Sequence, residues 1–157
     1  MEIVGRPPIH PLVFYSGKLS GYLTWVLLGL DYLGVLVVQG LHAVVLDYLS
    51  YTLLVIAVVF FVSSLVSLGK SIRLGLPTGQ TTLKTGGVYR VSRNPMYVGF
   101  DALTLASILG TGNPVVLVLG VYSMVVYHFI IAGEERYLLS VFGTAYSQYR
   151  ASVRKYV

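Results

Sequence analysis

The chain contains no cysteine among its 157 residues. Disulfides, thiolate metal ligands and a cysteine nucleophile are therefore excluded from anything it does. Charge is scarce, at 11% of residues, and acidic charge scarcer still, with six Asp and Glu against eleven Lys and Arg. With 55% hydrophobic residues and a mean hydropathy of +0.77, the chain is too apolar for an ordinary soluble domain of this length. The net charge of +5 does not point to nucleic acid, because the basic residues are interleaved with long apolar runs and build no aromatic-studded stripe. Anionic lipid headgroups are the better counterpart, and no nucleic-acid partner is expected. Three prolines and a single basic residue precede any apolar run, so the first residues do not read as a signal peptide. No internal repeat and no soluble domain boundary is visible.

What is abundant is long apolar sequence. Runs over about 19–39, 48–68, 95–110 and 115–132 each approach the roughly 20 residues needed to cross a bilayer core. The third and fourth are separated only by Thr-Gly-Asn-Pro at 111–114, which requires an antiparallel helical hairpin. Asn94 followed by Pro95 is a good start for the third helix, since Asn favours the N-cap and Pro the first helical position. The fold class is all-α: a polytopic membrane protein of about four transmembrane helices forming one domain, with a motif loop at 69–94 and a tail at 133–157. In the tail Leu138, Phe142, Tyr146, Tyr149 and Val153 recur at steps of three and four, the pattern of an amphipathic helix on the membrane surface, bent near Gly143.

Charge sets the topology. Arg6 and Lys18 precede the first run, Lys70, Arg73, Lys84, Arg90 and Arg93 lie between the second and third, and Arg136, Arg150, Arg154 and Lys155 follow the fourth. The other two connections carry no Lys or Arg, so the positive-inside bias places both termini, the central loop and the tail in the cytoplasm.

Between the apolar halves, residues 85–99 read TGGVYRVSRNPMYVG, the densest polar and aromatic stretch in the chain. Two glycines turn the backbone, Arg90 and Arg93 supply positive charge, and Tyr89 and Tyr97 supply aromatic faces. After the fourth run come Glu134 and Glu135, then Phe142-Gly143, Tyr146 and Tyr149. Both blocks fall on one membrane face with only a hairpin between them. Acidic residues leaving a helix C-terminus oppose its dipole, which suggests a partner; adjacent residues point about 100° apart, so one glutamate faces a ligand and the other an arginine such as Arg93 or Arg136. Asp101 and His128 fall at similar depth in the hairpin, which suggests that they interact.

The two blocks resemble the isoprenylcysteine carboxyl methyltransferase family, whose core reads G-x-Y-x-x-x-R-H-P-x-Y-x-G, and the likeness extends over about 68–153. Phospholipid N-methyltransferases share a weaker form of it. One departure is Asn94 where the family has His; another is the absence of an arginine on the fourth helix just ahead of the glutamates. The resemblance implies S-adenosylmethionine as donor, with S-adenosylhomocysteine as product. It implies cofactor binding by Thr81, Thr82, Leu83, Lys84, Tyr89, Asn94, Pro95, Met96 and Tyr97, catalysis by Arg93, Glu134 and Glu135, and acceptor binding by Glu134, Tyr146, Tyr149 and Arg150. No metal centre is expected. The implied acceptor is the carboxylate of a prenylcysteine-like, lipid-attached or small apolar molecule at the cytosolic face, with membrane lipids as surroundings. The alternatives are an amine methyltransferase of phospholipids and, from another class, a non-catalytic lipid-binding membrane protein.

Overall fold

The structure is a computed structural model and describes residues 6–36, 38, 40, 41, 43–69, 76 and 82–157. Thr81, Lys70 and Arg73 lie outside the described residues. Four helices follow one another: α1 (Pro11–Tyr32), α2 (Val44–Leu68), α3 (Pro95–Thr111) and α4 (Pro114–Ser152), with a 3₁₀ turn at Gly87–Arg90 before α3. Among the described residues the only extended pairing is an isolated bridge between Arg6 and Leu76. The all-helical class is as the composition indicates, and α2 and α4 are long and apolar enough to cross a membrane.

The first helix sits earlier than its hydropathy suggests. Its apolar run continues to 39, but α1 starts at Pro11 and stops at Tyr32. Proline presets the first helical φ and needs no N–H partner there, so Pro11 opens the helix. At the other end Gly34 takes a φ of +67°, and the Asp31 carboxylate accepts from the Val38 N–H (2.8 Å), folding the chain back. Hydropathy does not register such a turn. The second helix likewise begins at Val44 rather than 48, with Asp47 in its first turn where negative charge favours the dipole.

The hairpin between α3 and α4 is tight because Gly112 adopts the left-handed conformation, φ +55°, and Asn113 caps α4 by accepting from the Val115 N–H at 2.8 Å. A side chain on Gly112 would run into the Leu41 carbonyl. The Leu41 N–H in turn donates to the Gly112 carbonyl (3.1 Å), so the connection from α1 to α2 is pinned to the hairpin at this end of the bundle.

The helices pack in pairs, α2 on α3 and α1 on α4, with α3 also touching α1 and α4. Small residues permit the close approaches: a Cβ on Gly99 would lie 3.2 Å from the α2 backbone at Ala57 and Phe61, and one on Gly17 would collide with Val126. The core is formed by Phe14, Val126, Tyr127 and Ile130, with Tyr97 and Phe100 packed against it. Polar side chains within the bundle bond across helices, as in Trp25 Nε1 to Thr104 Oγ1 (2.9 Å) and Ser50 Oγ to the Ala106 carbonyl (2.9 Å).

α4 continues through Glu134 and Glu135 without a break and kinks only at Gly143, where φ is +50°. The bend near Gly143 is therefore present. The glutamates, however, are mid-helix residues, not the end of a helix, so no terminal dipole acts on them and their partners arise from tertiary packing alone.

Candidate functional site

At the end of the bundle opposite the Gly112 turn, three segments converge on the start of α3. Arg6 pairs with Leu76 through both backbone bonds (3.1 and 2.8 Å). Gly133 abuts Pro8, so that an added Cβ would lie 2.7 Å from the Pro8 carbonyl oxygen. The Arg93 N–H donates to the Arg154 carbonyl at 3.0 Å, drawing in the tail. The N-terminal segment, the loop before α3 and the C-terminal tail thus share one end with the glutamate pair.

Arg93 is the hub. Its Nε and Nη2 donate to one oxygen of Glu135 at 3.0 and 2.9 Å, and its Nη1 donates to the carbonyls of Arg150 and Val153. The two side chains of the ion pair are 8% and 12% exposed. Asn94 occupies the N-cap position of α3 but does not cap it with its side chain. Its amide instead donates to Glu135 (3.3 Å) and to the Lys155 carbonyl (3.0 Å). The capping expected of Asn94 is not made: with both Nδ2 hydrogens committed to the Glu135 carboxylate and the Lys155 carbonyl, the amide is oriented by the tail and its oxygen does not accept from the first N–H groups of α3. Buried Ser92 also reaches the Lys155 carbonyl (3.3 Å). Residues 153–155 are in this way strapped to the first turn of α3.

Glu134, a helical step of about 100° away from Glu135, faces a different neighbour: the Tyr97 hydroxyl donates to it at 2.8 Å. Glu134 lies just past the apolar run of α4. Burial pushes its carboxyl up to about 7 from a usual 4.5, against the lowering effects of the Tyr97 hydrogen bond and the Lys18 charge. Burial likewise holds the Tyr89 phenol above its ordinary range. It pushes Tyr146 and Tyr149 up to about 12, so these three hydroxyls stay protonated. Tyr149 uses its proton to donate to the Tyr89 carbonyl (2.6 Å), and Tyr146 is buried beside Arg93 and Glu135.

Of the residues singled out in the sequence, Tyr89, Arg93, Asn94, Pro95, Tyr97, Glu134, Glu135, Tyr146 and Tyr149 come together here. Pro95 is buried at the first position of α3, and Met96 beside it is half-buried. Leu83 and Lys84 are half-buried and Thr82 exposed in the segment leading to the 3₁₀ turn. Arg150 contributes its carbonyl rather than its charge. The Asp101–His128 pairing is not formed. His128 is exposed and its Nδ1 bonds the Tyr156 hydroxyl (2.8 Å), with the rings stacked 6.2 Å apart, while Asp101 Oδ1 is buried without a hydrogen-bond partner among the described residues. The tail residue Tyr156 takes the polar edge that two-helix geometry alone assigned to Asp101. Sequence reasoning also missed Lys18, whose only signal is its place as a lone cation at the head of an apolar helix.

An all-helical protein with membrane-length helices and an aromatic, carboxylate-bearing polar cluster at one end is the class this architecture defines. The chain belongs to the phospholipid methyltransferase family, whose model matches residues 45–145. It is also similar to a protein-S-isoprenylcysteine O-methyltransferase of Schizosaccharomyces pombe, with 42% identity over 74 residues, covering 45% of this chain and 30% of that relative. The chain therefore spans less than a third of that relative's length in the match. No solved structure matches the chain.

Proposed function

We propose that the chain transfers a methyl group from S-adenosylmethionine to the carboxylate of a prenylcysteine-like or other lipid-borne acceptor, at the cytosolic membrane face. The observation that carries this is the pairing of Tyr97 with Glu134 beside the Arg93–Glu135 ion pair, at the mouth of α3, in a chain of this family. In this reading all four helices cross the membrane, and the converging N-terminal segment, loop and tail lie on the cytosolic side.

The donor set suits that cofactor. Glu134 accepts one hydrogen bond from Tyr97, and a carboxylate has about four lone-pair sites, so it retains capacity for ammonium or ribose hydroxyl groups. The Tyr89 ring offers a half-buried aromatic face for adenine or a sulfonium. Lys84, the backbone around Thr82 and Leu83, and the first N–H groups of α3, at Met96 and Tyr97 after the buried Pro95, are suited to carboxylate and hydroxyl oxygens. When bound, the cofactor supplies an electrophilic methyl on a positive sulfur. The chain's own residues supply alignment: the Arg93–Glu135 pair and Asn94 fix the first turn of α3 against the tail, which sets where Tyr97 holds Glu134. A carboxylate acceptor is already anionic at neutral pH and needs no base.

A second reading is favoured by one observation, the Glu134 carboxyl held near 7. A group poised there can take the proton that an amine acceptor must lose, which fits a phospholipid amine methyltransferase. Transfer of labelled methyl to a prenylcysteine, to phosphatidylethanolamine and to a native lipid extract separates the two. Label on the prenylcysteine alone is the expected result, and label on none of the three would refute methyl transfer to these acceptors. A non-catalytic lipid binder would in addition show no heat of binding with the cofactor at millimolar concentration.

A further inference from the structure

We propose that Lys18, on α1, is the cation that receives an anionic group of the methyl acceptor; the inference rests on the methyl-transfer reading of the same site. Three close approaches fix α1 and the segment before it against α4 around Lys18. Gly133 meets Pro8, Gly17 meets Val126, and Gly21 meets Ser123 and Tyr127, each closely enough that an added Cβ would collide. Lys18 is thereby held half-buried with its charge within electrostatic reach of Glu134.

Its ammonium is not consumed by the protein. Nζ stands 4.3 Å from the centre of the Phe14 ring, and among the described residues it makes neither an ion pair within 4 Å nor a hydrogen bond. A half-buried ammonium has lost part of its hydration, and a cation–π contact returns only a fraction of that loss. Three N–H donors thus face a site whose nearest acid, Glu134, is already bonded to Tyr97. An incoming carboxylate would complete the set. A cationic group would meet Lys18 as a like charge.

The surface beneath Lys18 matches the rest of such a ligand. Tyr22 and Trp25 follow at four and seven residues, on the same face of α1 and extending about 10 Å from Lys18 along the helix. Across from them Phe100 of α3 lies between Trp25 (5.2 Å between ring centres) and Phe61 of α2 (5.8 Å). Tyr22 and Phe61 remain 39% and 38% exposed. α1 and α2 join at the far end, where the Tyr32 hydroxyl meets Ser50 Oγ at 2.8 Å and the Tyr32 and Tyr51 rings stand 5.6 Å apart. An aromatic-lined face thus leads from that junction to Lys18 and Glu134. It suits a carboxylate amphiphile with its charge at Lys18 and its apolar chain along Tyr22, Trp25, Phe100 and Phe61. Lys18 lies outside residues 45–145, the part matched by the family model, so no match to that model reveals it.

The test compares equilibrium binding of N-acetyl-S-farnesylcysteine, which lacks the α-ammonium, and of its carboxamide to the full chain in lipid nanodiscs. The unmodified protein should bind the carboxylate about ten- to a hundred-fold more tightly, the range of a hydrogen bond to a charged group. Lys18→Met should erase that preference while leaving carboxamide and cofactor affinity in place, and Lys18→Arg should keep most of it. A carboxylate preference that survives in Lys18→Met overturns the inference, as does an unmodified protein that binds the two alike or binds neither. Labelled methyl transfer is measured in parallel: tight carboxylate binding lost in Lys18→Met, without transfer to any acceptor, would uphold the site and refute the proposed reaction.

Discussion

Removing the Arg93 side chain is the most informative single perturbation of this protein. The guanidinium makes two bonds to Glu135 and two to backbone carbonyls of the tail, and the ion-pair side chains are 8% and 12% exposed. Arg93→Ala therefore strands the Glu135 carboxylate, which among the described residues keeps the 3.3 Å bond from Asn94, and removes the side-chain bonds to the carbonyls of Arg150 and Val153. Breaking a buried pair from one side costs about 3–5 kcal/mol. At roughly 2–4 °C per kcal/mol for a chain of this size, the unfolding midpoint in detergent should fall by about 6–20 °C. Glu135→Gln keeps an acceptor for Arg93 and should cost less. In Arg93→Ala/Glu135→Gln no stranded carboxylate remains, so the double variant should be clearly more stable than the sum of the single losses predicts. Additive losses, or a drop of under 2 °C for Arg93→Ala, would refute the claim that this pair holds the tail to α3.

Glu134 should make stability depend on pH, with a definite sign. Its folded pKa is raised from 4.5 to about 7, so the protonated form is favoured by folding. The contribution is complete below about 4.5 and is lost as pH rises through 7, to the extent of roughly 3 kcal/mol. The midpoint should fall between pH 5 and 8 in the unmodified chain and stay flatter in Glu134→Gln; equal slopes would show that Glu134 is not the titrating group. In the labelled-methyl assay Glu134→Gln should lose more transfer than Glu135→Gln. Gly17→Val should destabilise by about 1–3 kcal/mol, because even its Cβ lands on Val126. Gly29→Ala, where a Cβ meets nothing within 4 Å, should be neutral or stabilising by up to about 1 kcal/mol; equal losses in thermal unfolding would place the α1–α4 contact elsewhere.

The amino-acid sequence by itself determined the helical, apolar class, the short hairpin at 111–114, the bend at Gly143 and the two polar blocks, since each follows from local hydropathy, backbone conformation or motif. The start of α3 was equally legible, because Pro95 presets the geometry that opens a helix. The end of α1 was not, because Asp31 and Gly34 stop it through a carboxylate contact and a left-handed turn inside an unbroken apolar run. Tertiary structure alone decided which glutamate takes which partner: the two sit about 100° apart on α4, so the packing of α3 sends Glu135 to Arg93 and Glu134 to Tyr97. It also decided that Asn94 serves Glu135 and the tail rather than its own helix, and that His128 meets Tyr156 rather than Asp101. Lys18 stands more than a hundred residues before Glu134, and only the glycine-mediated approach of α1 to α4 brings the two charges into one site. Local sequence encodes which segments are helical, whereas the side chains that meet at their ends depend on how closely the backbones can approach, a property of pairs of helices that no single segment carries.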